Sequence, residues 1–459
     1  MARSVRRIHM VGVGGAGMSG IAEVLVNQGF EVRGSDLRSS ETTERLRRLG
    51  VAIQIGHDAD VVEGAQVVVI STAVPSVNPE VRRARELGVP VIRRAEMLAE
   101  LMRNRLGVAI AGSHGKTTTT SMVASILGDA GLDPTVVVGG KLNAIGSGAR
   151  LGRGSVMVAE ADESDGSFLH LSPTVAAVTN VDAEHLDHYA DEGEVRAAFR
   201  AFLERLPFYG LAVLCIDHPG VRALLPGLER RVVTYGFSPQ ADLRATALEM
   251  SGGRAEFEVW SRGVSRGRFR LEMVGAHNVS NALAALAIAD ELGVDANAAQ
   301  RGLATFAGVD RRFSVRGEAR DVLVVDDYGH HPAEIEATLK GARTAFPTRR
   351  LVVAFQPHRY SRTAQLLFEF GQAFHQAEAV FVLPVYPAGE SPITGADAGA
   401  LMESMRTQGH RDVQGLESLD GAAAVLASAL RPGDLFIAFG AGDVARLGRE
   451  VLGALETSI

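Results

Sequence analysis

Cysteine is almost absent: Cys215 is the only one in 459 residues. An intrachain disulfide is therefore excluded, and the usage fits a reducing compartment, so a cytoplasmic location is expected. Lysine is scarce too. Lys116, Lys141 and Lys340 are the whole set, and arginine supplies the rest of the 47 basic side chains. No apolar run approaches the ~18 residues that span a bilayer. The start, MARSVRRIHMVGVGG, is basic and then apolar, but glycines break it and it runs on into a phosphate-binding pattern, so a signal peptide is not expected. An excess of positive charge is also missing. With 54 acidic residues against 47 basic ones, the net charge of −7 argues against a nucleic-acid partner. No repeat or low-complexity segment is evident, and nothing in the composition bears on oligomeric state.

What is present is a globular composition, 46% hydrophobic and 22% charged, in a chain long enough for about three domains. The stretch Gly107–Thr120, GVAIAGSHGKTTTT, organises the reading. Its first half is apolar and reads as a buried strand. Gly112, Ser113, His114 and Gly115 form a turn, and Lys116 and Thr117 open an apolar helix ending near Gly128 or Gly131. Strand, glycine-bearing turn, Lys-Thr and helix make a phosphate cradle. Backbone N–H groups face the phosphates, the lysine reaches the β/γ oxygens and the threonine hydroxyl takes Mg²⁺. The strict motif wants glycine where Ile110 stands, so this is a shortened variant.

A second phosphate pattern comes first in the chain. An apolar strand, Arg7–Val13, runs into Gly12-Val13-Gly14-Gly15-Ala16-Gly17, then a helix stopped by Gly29, then a strand ending at Asp36. This is a Rossmann-type βαβ with an acid at ribose distance; the pattern alone does not separate NAD from another nucleotide diphosphate. A further strand leads to Ser71 and Thr72, and His57 is read as a solvated loop histidine. A first boundary is placed near Arg103-Asn104-Arg105.

Past the phosphate loop, strand Ser155–Ala159 delivers Glu160, a carboxylate suited to Mg²⁺; Asp162 and Asp165 are read as an acidic surface loop. Strand Thr174–Asn180 precedes Asp182, Glu184, His185, Asp187 and His188, of which one histidine is expected near the nucleotide. Residues 241–274 alternate with period two, which predicts an antiparallel meander appended to the parallel sheet. Asn278 and Asn281, three apart at a helix start, share a face and suit a purine edge. Phe306–Phe313 marks a second boundary. Beyond it, strands alternate with helices again, and each strand ends in a polar cluster: Asp326 to His331, Gln356 to Thr363, Gly440 to Asp443. Arg359 and Arg362 are spaced to grip a carboxylate or phosphate together. The expected fold is α/β in three domains: a Rossmann-like domain at 1–104, a central P-loop ATPase-type parallel sheet with an antiparallel appendage at 105–311, and a Rossmann-like α/β domain at 312–459.

Taken in order, VGVGGAGMSGIAE, AGSHGKTTTTSM, AEADESDGSF, NVDAEHLDHY, GAHNVSNALAA, GVDRRF, DDYGHHP and FQPHRYSRT resemble the Mur ligase family between positions 11 and 363. The last two stretches point within that family to the activity that joins L-alanine to UDP-N-acetylmuramate. The resemblance implies that the first domain holds the UDP-sugar, through Gly14, Gly15, Ala16, Gly17, Met18, Asp36, Ser71 and Thr72. It implies ATP contacts at Gly112, Ser113, His114, Gly115, Lys116, Thr117, Thr118, Asn278, Asn281, Arg312 and Asp326. Mg²⁺ would be held by Thr117, Glu160 and His185, and L-alanine by Tyr328, His358, Arg359 and Arg362. Lys116, His185 and Arg312 would carry the chemistry. Many relatives hold a second Mg²⁺ on a carbamoylated lysine; no lysine lies between Lys141 and Lys340, so this chain cannot do so in its middle domain.

The reaction so implied is ATP-dependent amide formation through an acyl phosphate. Two anions meet in its first step, so positive charge is obligatory. Three other readings compete: a ligase attaching a recycled murein tripeptide to the same UDP-sugar, a nicotinamide dehydrogenase, and a nucleotide-gated binding protein. The dehydrogenase leaves the second phosphate loop without a purpose, and FQPHRYSRT tells against the tripeptide.

Overall fold

Each phosphate pattern and polar cluster falls at the C-terminal edge of a strand, and three sheets supply those edges. The computed structural model describes residues 5–142, 147–182, 184 and 188–457. Among them no helix is long and apolar enough to cross a membrane.

The first sheet is parallel and consists of β1 (Arg7–Val11), β2 (Glu31–Asp36), β3 (Ala52–Ile55), β4 (Val67–Ile70) and β5 (Val91–Arg93), in the order β3-β2-β1-β4-β5. The direction of winding reverses between β1 and β4, which is where a doubly wound sheet opens its ligand crevice. Gly12–Gly17 follows β1 at that point. The following helix, Ala16–Asn27, packs Ile21, Val24 and Leu25 into the core.

The second sheet has ten strands: β6 (Leu106–Ala111), β7 (Thr135–Leu142), β8 (Ser147–Arg150), β9 (Val156–Glu160), β10 (Val175–Val178), β11 (Leu211–Cys215), β12 (Arg231–Gly236), β13 (Leu243–Ser251), β14 (Arg254–Ser261) and β15 (Val264–Leu271). Their order is β15-β14-β13-β12-β11-β10-β6-β9-β7-β8. β6, β9, β10 and β11 are buried almost throughout, as parallel strands covered on both faces must be. β10, β6 and β9 are parallel neighbours, with Val178 beside Ala111 and Ile110 beside Glu160. The turns after all three therefore open at one edge. The period-two stretch is an antiparallel meander, as its alternation predicts. It is continuous with the sheet, because β12 pairs in parallel with β13 from Tyr235–Leu243 onward. The other edge, where β8 runs antiparallel to β7, was not expected.

The third sheet contains β16 (Ser314–Ala319), β17 (Val322–Asp327), β18 (Arg350–Phe355), β19 (Ala379–Val382), β20 (Val413–Gly415) and β21 (Asp434–Phe439), ordered β16-β17-β21-β18-β19-β20. Only β16 is antiparallel to its neighbour. Successive residues serve opposite faces: Val325, Val353 and Ile437 pack in one core, Val324, Val352 and Phe436 in the other.

By compactness the chain falls into two units. Met1–Ala247, Phe257–Arg270 and Ser280–Ala307 form the first; Leu248–Glu256, Leu271–Val279 and Gly308–Ile459 form the second. The first unit holds the first sheet and most of the second, with one continuous apolar core.

That core depends on an aromatic cluster. Phe168 is fully buried, 5.0 Å from the Phe202 ring and 5.4 Å from the Phe199 ring. Phe168→Ala should cost about 3–5 kcal/mol and lower the melting temperature of the first unit. Phe208, 88% exposed, serves as control, and its alanine variant should stay within about 0.5 kcal/mol of the parent by urea titration.

Candidate active site

The turn after β1 is closed by the strand beside it. Gly12, at φ +73°, donates from its N–H to the Ser35 carbonyl, and the Gly14 N–H donates to Asp36 Oδ2 at 2.8 Å. Asp36 thus already braces the glycine turn in which a ribose contact was expected. A Cβ on Gly17 would run into the Arg94 guanidinium, which lies over the first turn of the helix and pairs with Asp162 at 3.2 Å. Arg94 was not expected here; it is one arginine among many in the sequence and carries no motif. Ser71 and Thr72 follow β4 on the same edge.

His57 corrects its sequence reading. Its Nδ1 lies 2.7 Å from Glu80 Oε1, and the other oxygen of this fully buried carboxylate meets His9 Nε2 at 2.5 Å and the Ser35 hydroxyl at 2.8 Å. A buried carboxylate needs such partners, and the loop folds in to supply one. Burial alone would raise the Glu80 pKa, but hydrogen bonds from His9, Ser35 and His57 hold it below the usual value.

The phosphate loop is built as expected. The helix runs Lys116–Asp129 from Gly115, which sits at φ +81°. A Cβ there would stand 2.6 Å from Asn281 Oδ1, and one on Gly112 would strike the Thr179 hydroxyl. Both turn positions therefore demand glycine. Asn281, from the helix Ala276–Glu291, is thereby brought against the loop, while the Asn278 amide donates to the Val274 carbonyl at 2.7 Å. Thr179 and Asn180, at the end of β10, hold the His114 backbone at 2.6 and 2.7 Å. The Ser113 hydroxyl accepts from the Asp182 N–H at 2.9 Å. Asp182 lies between His114 and His218; burial opposes its charge, but both imidazoles hold its pKa far below the ordinary value.

Lys116 Nζ donates to the Gly112 carbonyl at 2.6 Å, the Ser113 carbonyl at 3.2 Å and the buried Glu163 carboxylate at 2.9 Å. Burial disfavours the ammonium, but Glu163 and Asp162 outweigh that and keep its pKa above the usual lysine value. It is a permanent cation. Glu163 went unrecognised in AEADESD, where Glu160 took the attention. Asp162 is not a free surface acid either: it pairs with Arg94 and feels Lys116. Thr117 lies in the first turn of the helix and Glu160 ends β9 beside the loop-bearing strand. Thr118 is buried behind Thr117. His185 and Asp187 lie outside the described residues.

In the second unit, Arg311 and Arg312 lie over the Tyr328 ring at 5.1 and 5.4 Å. Arg312 pairs with Glu334 at 3.0 Å. Asp326 and Asp327 face opposite ways. Asp326 is buried under Gly448 and accepts from Arg316 at 2.6 Å. Asp327 accepts from the Phe313 and Gly329 N–H groups, and burial pushes its pKa up to about 6. The His358 ring stacks on Tyr386 at 5.4 Å and lies 6.0 Å from His330, which in turn is 5.2 Å from Tyr328. Arg362 reaches back to the His358 carbonyl at 3.3 Å. Arg359 holds φ +73°, a costly conformation for a side-chain-bearing residue that concentrates at ligand sites. Its guanidinium lies 3.6 Å from Glu390, which also accepts from the Ser361 hydroxyl and N–H. Tyr328, His330, His358 and Tyr386 thus form one chain of ring contacts, with Arg362 on His358, Arg312 and Glu334 beside Tyr328, and Arg359 paired with Glu390. Tyr386 had no sequence signal; His330 stood within a recognised motif.

Comparison with known proteins identifies the family. Residues 7–106 match the Mur ligase family catalytic domain, 110–289 the Mur ligase middle domain, and 311–442 the Mur ligase glutamate ligase domain. The chain is 58% identical to the UDP-N-acetylmuramate–L-alanine ligase of Anaeromyxobacter sp. strain Fw109-5, over 98% of each protein. It is similar to the crystal structure of a UDP-N-acetylmuramate-alanine ligase from Thermotoga maritima, with TM-score 0.82 and 30% identity, covering 99% of this chain and 100% of that one. A murein peptide ligase from Psychrobacter arcticus is a more distant likeness, with TM-score 0.70 and 25% identity over 99% of each chain.

The raised Asp327 pKa has a measurable sign. A carboxyl that holds its proton more tightly when folded stabilises fully below its unfolded pKa of about 3.9 and loses that contribution as pH rises through about 6. Asp327→Asn removes the titration. Its unfolding free energy relative to the parent should therefore improve between about pH 4 and 6, by on the order of 3 kcal/mol, and then level off. A flat difference across that range in denaturant titrations would contradict it.

Proposed function

The chain belongs to the Mur ligase family, and on that premise we propose that it joins L-alanine to the lactyl carboxylate of UDP-N-acetylmuramate, using ATP and passing through an acyl phosphate. It is an ATP-dependent amide-forming ligase of peptidoglycan precursor synthesis. The observation that carries the reading is the Lys116 phosphate loop in a chain that follows alanine-adding ligases over nearly their whole length. The tripeptide alternative is not favoured, because alanine-adding ligases match at 52% to 58% identity over nearly the whole chain.

We assign residues 1–104 to the UDP-sugar, 105–311 to ATP and 312–459 to the amino acid. The Gly14–Gly17 turn with Met18, Asp36, Ser71 and Thr72 would seat the UDP-sugar diphosphate, with the helix N-terminus contributing partial positive charge. Gly112 to Thr118 would wrap the ATP phosphates, Asn278 and Asn281 would meet adenine, and Arg312 and Asp326 would contact a phosphate and the ribose region. Thr117 and Glu160 offer hard oxygen donors on neighbouring elements, which suits Mg²⁺, with His185 as a third ligand. Bound there, Mg²⁺ would neutralise charge on the transferring phosphoryl group. The assignments to a cytoplasmic location and to these three substrates follow from the same reading.

The chemistry follows from charge. The lactyl carboxylate attacks the γ-phosphorus and ADP leaves. Both reactants are anions, and Lys116 supplies a fixed cation at the point of approach. The alanine amine then attacks the acyl carbon, the C–N bond forms, and phosphate departs as a good leaving group in place of oxide.

The direct test is ADP release. It should require UDP-N-acetylmuramate and be completed by L-alanine, and release with alanine omitted or replaced by tripeptide at equal rate would refute the assignment. Lys116→Ala should lower turnover by about 10²–10³, some 2.7–4 kcal/mol, with UDP-sugar binding retained. A variant keeping more than about a tenth of parental turnover would remove the loop from the mechanism.

Arg362→Ala tests the amino-acid assignment separately. Loss of one charge-assisted contact, about 1.5–3 kcal/mol, should raise the KM for L-alanine about ten-fold or more. Acyl phosphate trapped by reduction should still form at the parental rate. If trapping falls along with amide formation, Arg362 acts before the amino acid enters.

A further inference from the structure

The two phosphate patterns of the first unit share a charged residue. Arg94 opens the helix Arg94–Met102 and lies over the first turn of the helix Ala16–Asn27, so close that a Cβ on Gly17 would collide with its guanidinium. That turn carries no acidic residue of its own. Among the described residues, the guanidinium has one partner, Asp162 Oδ2 at 3.2 Å. Asp162 serves the other pattern as well. It directly precedes Glu163, whose carboxylate lies 2.9 Å from Lys116 Nζ, and it is within electrostatic reach of that ammonium. Its other hydrogen bond is local, from the Ser164 N–H to Oδ1 at 3.2 Å. One carboxylate therefore stands between a cation of each site: Arg94 at the glycine turn and Lys116 at the phosphate loop.

Anions arriving at either site compete with Asp162 for these cations. A phosphate on the glycine turn draws Arg94, and one in the phosphate loop draws Lys116. A carboxylate with two cations nearby gives up the first at low cost, because the second remains. Giving up both leaves its charge to water and one backbone N–H. We propose that Asp162 couples the two sites: it is the shared counter-charge of Arg94 and Lys116, so a phosphate that takes one cation tightens the carboxylate's hold on the other, and the two ligands oppose each other's binding; this rests on the placement given above to the UDP-sugar diphosphate and the ATP phosphates.

Asp162 is a positioning residue in this account. It keeps Arg94 over an empty turn and yields it when a diphosphate binds. Its side chain is partly exposed, as is that of Arg94, so water replaces much of what each exchange removes, and the coupling is modest in size. Glu163 does not take over the role, because its carboxylate is buried against Lys116 and has no contact with Arg94. Removing the Asp162 charge should therefore free both cations for their ligands and separate the two binding events.

The test uses UDP-N-acetylmuramate and ADP, a pair that cannot react, in calorimetric titrations of the full chain at constant Mg²⁺. In the parent, saturating ADP should raise the Kd of UDP-N-acetylmuramate about three-fold, and by linkage UDP-N-acetylmuramate should raise the Kd of ADP by the same factor. In Asp162→Asn that factor should fall toward one. UDP-N-acetylmuramate alone should bind this variant about two- to five-fold more tightly, because a competitor for Arg94 is gone. Arg94→Ala should act the other way and weaken UDP-N-acetylmuramate about ten-fold. An ion pair with a structural role only would give weaker binding in both variants, so the opposite signs separate the two roles. Asp162→Ser gives the same readings should the asparagine variant not fold. An ADP effect absent from the parent or unchanged in the Asp162 variants overturns the proposal, as does weaker UDP-N-acetylmuramate binding on changing either partner. Complete mutual exclusion of the two ligands, or no binding of UDP-N-acetylmuramate to the parent, would instead refute the two-site assignment itself.

Discussion

The Lys116 ammonium, held 2.9 Å from the buried Glu163 carboxylate, is the interaction on which the first unit is arranged. A buried cation without a partner costs several kcal/mol. Glu163 and two loop carbonyls supply the partners, so the charge is present before any phosphate arrives, and a phosphate would take the place of one of these three acceptors. The two glycines of the turn before Lys116 answer to other neighbours. Gly112 must leave room for Thr179 and Gly115 for Asn281, and those two side chains come from separate elements that fix the loop from outside. Asp162, next to Glu163, turns the other way and pairs with Arg94 over the first helix. Two consecutive carboxylates therefore organise the two phosphate-binding patterns of the chain.

The same architecture repeats in all three sheets. Parallel strands bury both faces and expose only their ends, so polar chemistry is confined to the turns that follow them. In the second sheet, β10, β6 and β9 place Asn180, the phosphate loop and Glu160 on one edge. In the third, β17, β21 and β18 do so for Tyr328, the Gly440 turn and His358. There the backbone pays in strain at Arg359, and the loop is held by the Arg359 N–H on the Tyr386 carbonyl and by Glu390 on Ser361.

Much of this was legible in the sequence because local chemistry announces it. The two glycine turns, the period-two meander and the strand-terminal clusters each depend on residues adjacent in the chain. What was missed depends on distance. His57 looked like a loop residue because its partner, Glu80, lies 23 positions away. Arg94 meets Gly17 and Asp162 from another part of the chain, and Tyr386 stacks on His358 from a segment without any motif. The edge hairpin of β7 and β8 escaped notice because residues 135–150 lack clear alternation. Asp326 and Asp327, adjacent in one polar cluster of the sequence, are sent by the pleat to opposite faces with different partners.

The central claim is that ATP activates a carboxylate by phosphorylation at the Lys116 loop. The most direct measurement uses UDP-N-acetylmuramate labelled with oxygen-18 in its lactyl carboxylate, with ATP, L-alanine and the intact enzyme. An acyl phosphate leaves with one carboxylate oxygen, so each turnover should place one labelled oxygen in the inorganic phosphate, read by mass spectrometry. Unlabelled phosphate, or label appearing in AMP, would contradict the account.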